Sequence, residues 1–112
     1  MSKASRNKGK RGELEVRDII RRHDFDADRD GRLDDDLRHN VEGYHFEAKR
    51  CETLRIPQWM QQAKRDAGNR IPIIAHRRNN EEWLGTMPLD DIVRLLAIER
   101  RMNELNDLVR NA

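Results

Sequence analysis

The sequence predicts an α/β protein with helices packed on a mixed β-sheet, and three observations support this class. Apolar residues at helical spacing mark three segments, and shorter runs rich in sheet-forming residues mark five others. These segments follow one another as helix, three strands, helix, two strands and helix, an order typical of an α/β sandwich. Turn and capping residues stand at the boundaries, among them Gly31, Pro57, Gly68 and Pro88.

Composition limits the chain to one domain with a modest core. It has 112 residues, of which 39% are charged and 36% hydrophobic. The first 11 residues carry five basic side chains and no acidic one, whereas aspartates crowd residues 24–36. We expect a mobile basic arm over residues 1–9 and a single domain over residues 10–112. A lone cysteine, Cys51, excludes a disulfide framework, and the absence of a long apolar run predicts a cytoplasmic protein without a membrane segment.

The elements are predicted in chain order. Their expected bounds are a helix over Lys10–His23, a strand before Gly31, a strand over Leu33–Leu37, a strand over Tyr44–Arg50, a helix over Ile56–Ala67, strands over Ile71–His76 and Trp83–Met87, and a helix over Pro88–Arg110.

The acidic segment has two interpretations. Asp26, Asp28, Asp30 and Gly31 match the first half of an EF-hand calcium loop, so an EF-hand-like calcium-binding module is the alternative function. Position 12 of that loop should be a bidentate Glu, but here it is Leu37. We therefore favour a β-hairpin that turns at Gly31.

Tyr44–Arg50 is the stretch with the most chemistry. In a strand, successive side chains alternate between faces. Glu47 and Lys49 should then share one face, while Phe46 and Ala48 point into the core. The arrangement sets a carboxylate that can hold a metal beside an ammonium that can orient a water molecule.

A second carboxylate is expected to join Glu47. Asp36 ends the predicted second strand, and a hairpin between the second and third strands would bring the two together. Two carboxylates suit Mg²⁺, and Lys49 could orient a water for attack on a phosphodiester. Glu13 borders the apolar face of the first helix and could reach the same cleft. A shift of one residue would put Asp35 in the place of Asp36.

These residues, in this order, resemble the PD-(D/E)XK nuclease superfamily. The narrower resemblance is to the branch of archaeal Holliday junction resolvases and small phage endonucleases. It extends over about residues 8 to 98 and rests on Lys8-Gly9, Glu13, Asp36, the segments Phe46–Glu52, Gln62–Ala67 and Pro72–Asn79, and Trp83. One departure is the missing proline before the first acidic residue.

The resemblance implies a restriction-endonuclease-like three-layer sandwich and a metal-dependent DNA endonuclease with a Holliday junction resolvase-like preference. Mg²⁺ would be the cofactor and Mn²⁺ a substitute, in the cytoplasm of a bacterium or of a phage-infected host. Metal ligands would be Asp36, Glu47, the backbone carbonyl of Ala48 and Glu13. Lys49 and Gln62 would complete the catalytic set.

Basic side chains and the last helix suggest partners. Candidate contacts to DNA phosphates are Lys8, Lys10, Arg11, Arg50, Arg55, Arg77 and Arg78. His45 should share the strand face of Glu47, where its ring either contacts a phosphate or packs against neighbouring side chains. A non-catalytic nucleic-acid-binding protein is a further alternative.

The helix over residues 88–110 carries two apolar strips. The predicted inward face is Leu89, Ile92, Val93 and Leu96; the second strip is Leu95, Ile98, Met102, Leu105 and Val109. The second strip is longer than a domain of this size needs, so we expect a homodimer. The alternative is a helix lying along its own core.

Overall fold

The structure, a computed structural model, describes residues 3–29 and 37–112. The elements in these ranges are α1 (Lys3–Arg22), β1 (Ala27–Arg29), β2 (Leu37–His39), β3 (Tyr44–Arg50), α2 (Ile56–Ala67), β4 (Ile71–Arg77), β5 (Leu84–Thr86) and α3 (Leu89–Arg110). The predicted class, mixed α/β with a long C-terminal helix, is confirmed.

A mixed three-stranded sheet, in the order β3-β4-β5, forms the centre of the molecule. β3 and β4 are parallel, with Glu47 beside Ile74 and Lys49 beside His76, and α2 makes the crossover between them. β5 runs antiparallel to β4 and sets Thr86 beside Ile74. Because the side chains of β3 alternate between the two faces of this sheet, each face can be covered by a different layer of the protein.

α2 covers one face of the sheet. Pro57 suits the first turn of this helix because its missing N–H has no partner there in any case. Trp59 and Ala63 form a buried cluster with Ile74 of β4, which is fully buried. Gly68 ends the helix with a φ of +60°, a conformation that glycine adopts without strain.

α1 and a two-stranded hairpin cover the opposite face. Val16 and Ile20 of α1 form a buried cluster with Ala27 and Leu37 of the hairpin, and Phe46 of β3 packs against it. Because Phe46 alternates with His45 and Glu47, those two side chains point to the α2 side.

Gly12 allows α1 to approach β3 closely. A Cβ at this position would lie 3.3 Å from the Cβ of Arg50 and 3.5 Å from the Trp83 ring, so a larger side chain would push the helix away from the sheet. This contact joins the start of the domain to the strand that carries Glu47.

Two strand pairings were predicted here: the antiparallel hairpin of the first two strands forms, and in the part of the chain that the structure describes the pairing of the second strand with the third does not. β1 and β2 pair antiparallel, with Ala27 opposite His39, and β2 begins at Leu37, where the predicted strand ended. Among the described residues β2 is hydrogen-bonded to β1, so the predicted hairpin between the second and third strands is wrong. The chain turns away after His39, whose Nδ1 accepts a hydrogen bond from the N–H of Val41. Asp30, Asp35 and Asp36 lie outside the described residues.

The two terminal helices also depart from expectation. α1 begins at Lys3 rather than Lys10, so helical conformation covers most of the segment predicted as an arm. Of the four residues predicted to face inward, Ile92 is half-buried, whereas Leu89, Val93 and Leu96 are 73%, 54% and 58% exposed. The molecule measures 60 × 29 × 26 Å, because the 22 residues of α3 project from the domain over about 33 Å.

Within the described ranges, no helix is long and apolar enough to cross a membrane.

Candidate metal site

His45, Glu47 and Asp66 form a cluster between β3 and α2. Strand alternation aims His45 and Glu47 at α2, where only 5% and 2% of their surfaces remain exposed. Asp66, in the last turn of α2, reaches them from the exposed edge. Each of the three offers a ligand atom, and these atoms lie within 4.8 Å of one another.

Burial controls the charge of Glu47. It raises the pKa of this carboxyl above its usual range, and the neighbouring Asp66 carboxyl raises it further. A hydrogen bond with His45, whose Nε2 lies 2.8 Å from Oε1, opposes the shift. Two ionised carboxylates this close repel each other, and a bound cation would relieve that repulsion. Two carboxylates and an imidazole also fit a divalent metal by donor type.

Lys49 and Gln62 lie on the same side of β3. The ammonium of Lys49 donates to Oε1 of Gln62, 3.4 Å away, and its charge favours ionised Glu47. The structure therefore brings together three residues predicted from sequence, Glu47 and Lys49 from the strand and Gln62 from the helix.

Other predicted site residues lie elsewhere. Glu13 is buried in α1 and accepts a hydrogen bond from Nε of Arg29, 2.5 Å away, on the side of the sheet covered by α1. The side chain of Ala48 packs toward that same side, but the ligand predicted at this position is its backbone carbonyl, which lies in β3 between Glu47 and Lys49. Asp36 and Asp35, the candidate second ligands, fall outside the described residues.

Two residues of the cluster were not predicted as ligands. Asp66 follows Gln62 by four positions, so both project from one face of α2. This spacing of four residues is the feature of the sequence from which Asp66 could have been predicted to join Gln62 at the site. His45 shares a strand face with Glu47, but its burial and its bond to the carboxylate depend on α2 packing above it.

The predicted phosphate contacts divide into two groups. Arg50 and Arg77 form ion pairs with Glu15 of α1 at 3.6 and 2.8 Å, so they join α1 to the sheet. Lys8 and Arg78 pair with Glu52 and Glu81. The candidates with exposed side chains and no ion pair among the described residues are Lys10, Arg11 and Arg55.

The EF-hand alternative loses its structural basis. Asp26 is tied to Asn40, which accepts from its backbone N–H at 2.8 Å, and Asp28 lies in β1. A strand, Leu37–His39, stands where an EF-hand needs its second helix. The described part of the acidic segment therefore belongs to a β-hairpin.

No family model, curated protein or solved structure matches this chain. The resemblance to PD-(D/E)XK nucleases thus remains a prediction from motif order.

Proposed function

We propose that this protein is a Mg²⁺-dependent endonuclease that hydrolyses DNA phosphodiester bonds. One observation carries the proposal: the buried Glu47 carboxylate lies beside Asp66, and Lys49 follows two residues later on the same strand face. A buried carboxylate beside a second, exposed carboxylate, with an ammonium next to them, is an arrangement suited to metal-assisted phosphodiester hydrolysis.

Each side chain has a defined part in this proposal. Glu47 and Asp66 would hold the metal with His45, and Asp36 and the Ala48 carbonyl are further ligands that the family resemblance suggests. Glu13, which the resemblance also suggests, is paired with Arg29 on the other side of the sheet. Bound Mg²⁺ or Mn²⁺ would lower the pKa of a water molecule and neutralise phosphate charge. Gln62 restrains the Lys49 ammonium, which can then orient the attacking water and stabilise the charge that develops on phosphate.

The basic surface supports a nucleic-acid substrate. Lys10 and Arg11 extend the basic start of α1, and Arg55 stands at the start of α2, the helix that carries Gln62 and Asp66. Contacts from such side chains go mainly to phosphates and weaken with salt. The hairpin-and-α1 layer, the sheet and α2 agree with a restriction-endonuclease-like sandwich, and the resemblance favours branched DNA cut by a homodimer in the bacterial or host cytoplasm.

A cleavage assay tests this proposal. The protein is incubated in Mg²⁺, Mn²⁺ or chelator with linear, nicked, flapped and four-way DNA. We expect metal-dependent cleavage that falls at least 100-fold in Lys49→Ala, a loss on the order of that for a positioned catalytic group. Lys64→Ala, which alters an exposed lysine of α2, is the matched control and should retain wild-type rates.

DNA binding separates the proposal from the non-catalytic alternative. The Lys49→Ala variant should still bind the DNA that the wild type cuts. If the wild type binds DNA but cuts none of the substrates with either metal, at low salt and with enzyme in excess, the nuclease proposal is wrong and the binding protein is favoured.

A further inference from the structure

The distal part of α3 carries an apolar stripe that its own chain leaves exposed. Leu95, Ile98, Met102, Leu105 and Val109 recur at spacings of 3, 4, 3 and 4, the pattern of a coiled-coil seam. Their exposed fractions are 38%, 48%, 52%, 53% and 76%. Against the described residues, α3 buries no side chain at all. A projecting helix of this length gains most of its stability from packing of an apolar face, so the stripe needs a partner.

We propose that this stripe pairs two copies of the chain as a parallel coiled-coil dimer. The occupant is a second copy because the stripe is complementary to itself across a two-fold axis. The proposal does not depend on the nuclease activity.

Core matching favours the parallel orientation. In a parallel pair every stripe residue meets its own counterpart, which gives five apolar layers. Antiparallel pairing gives four such layers in either of its two best registers. One register then sets Val109 against Asp91, and the other sets Leu95 against Ala112. The full stripe is buried only when the helices run in the same direction.

Flanking charges favour the same orientation. Arg94 immediately precedes the first stripe residue and Glu99 immediately follows the second, positions that face each other across a parallel pair. Glu99 has no ion-pair partner among the described residues. Arg94 donates from one Nη to the Tyr44 hydroxyl, 3.0 Å away, and its Nε lies 3.9 Å from Asp91. Its other N–H groups are therefore the ones that would meet Glu99 of the second copy. In one antiparallel register Glu99 would face Glu99 and Arg101 would face Arg101. In the other antiparallel register, neither Glu99 nor Arg101 faces a side chain of opposite charge.

Parallel pairing has a geometric consequence. Both helices start at the same end of the dimer, so the two domains lie side by side. Two copies of the Glu47 cluster would then be held near one another, as the cutting of two strands requires.

Sedimentation equilibrium of the full chain at tens of micromolar tests the pairing. We expect twice the 13.3 kDa chain mass for the wild type and the monomer mass for Leu105→Asp. Leu96→Asp is the matched control: it alters a similarly exposed leucine, 58% against 53%, on the opposite side of α3 and should leave the dimer intact. A monomeric or tetrameric wild type, or a monomeric Leu96→Asp with a dimeric Leu105→Asp, would overturn the proposal.

Disulfide trapping tests the orientation. Cys51 is exposed and is first changed to serine; Val109→Cys is then added and oxidised. Parallel pairing brings the two introduced thiols together, so most of the protein should run as a cross-linked dimer under non-reducing conditions. A dimer that stays uncross-linked would show that the helices are antiparallel, since Val109 then meets Asp91 or Ile98.

Discussion

The Nε2 atom of His45 and the Oε1 atom of Glu47 lie 2.8 Å apart on the α2 side of β3, and both side chains are buried. This contact holds one oxygen of the carboxylate, and Asp66 approaches the same group from α2. The strand therefore presents an acidic group in a place where its charge is costly without a cation. Replacing Glu47 by a neutral residue should therefore stabilise the metal-free protein and weaken its binding of a metal.

Removing the charge of Glu47 should stabilise the metal-free protein. Its pKa is raised in the folded state, so between the unfolded value near 4.5 and the folded value the native chain binds more protons, and stability falls as pH rises. Glu47→Gln keeps an acceptor for His45 and cannot ionise. At pH 7.5 without metal we expect its thermal midpoint to be higher by on the order of 5 °C, which is roughly 1 kcal/mol for a domain of this size.

Calorimetric scans at pH 7.5 and pH 4 measure that effect. The advantage of Glu47→Gln should shrink at pH 4, where wild-type Glu47 is protonated as well. An unchanged or lower midpoint at pH 7.5 would show that burial does not penalise this carboxylate.

Divalent cations should stabilise the wild type through the same cluster. A ligand bound only by the folded state at about 100 times its Kd adds about 2.7 kcal/mol. We expect Mn²⁺ or Mg²⁺ to raise the thermal midpoint of the wild type and of Glu42→Gln, an exposed control in the turn before β3. Asp66→Asn should reduce the shift, and Glu47→Gln should abolish it. Equal shifts in all four proteins would locate the metal elsewhere.

Acid should destabilise the fold through His76. Burial lowers the pKa of this imidazole below its usual 6.5, so on acidification the unfolded chain takes up the proton first. The neutral form of His76 therefore contributes its whole stabilisation above about pH 6.5. That stabilisation is lost as the pH falls through the pKa that His76 has in the folded protein. Urea unfolding at pH 8 and pH 5.5 should show a smaller loss on acidification for His76→Gln than for the wild type. Identical losses would contradict a role for His76.

Ile74 should be the most sensitive apolar position between the sheet and α2. It is fully buried against Trp59 and Ala63, so Ile74→Ala should cost about 2–5 kcal/mol of unfolding free energy. Leu54→Ala, at a residue 47% exposed, should change it by less than about 0.5 kcal/mol. Chemical denaturation of both variants measures the difference, and a loss under 1 kcal/mol for Ile74→Ala would mean that this layer packs loosely.

Local pattern alone determined much of this protein. The alternation of Tyr44–Arg50 fixes that Glu47 and Lys49 share a face, because a strand has a period of two. Pro57 in the first turn and Gly68 after the last turn marked the bounds of α2, Ile56–Ala67, and the 3-4 repeat marked the stripe on α3. These features depend on neighbours in sequence, so they could be predicted without a fold.

Tertiary structure decided how the elements meet. Asp66 joins Glu47 only because α2 crosses over β3 and β4, and Arg50 and Arg77 are drawn from solvent to Glu15 only because α1 packs on the other face. β2 pairs with β1 instead of β3, and α3 leaves the domain with its apolar side chains exposed. Such outcomes depend on contacts between residues far apart in the chain, which periodicity in a single segment does not encode.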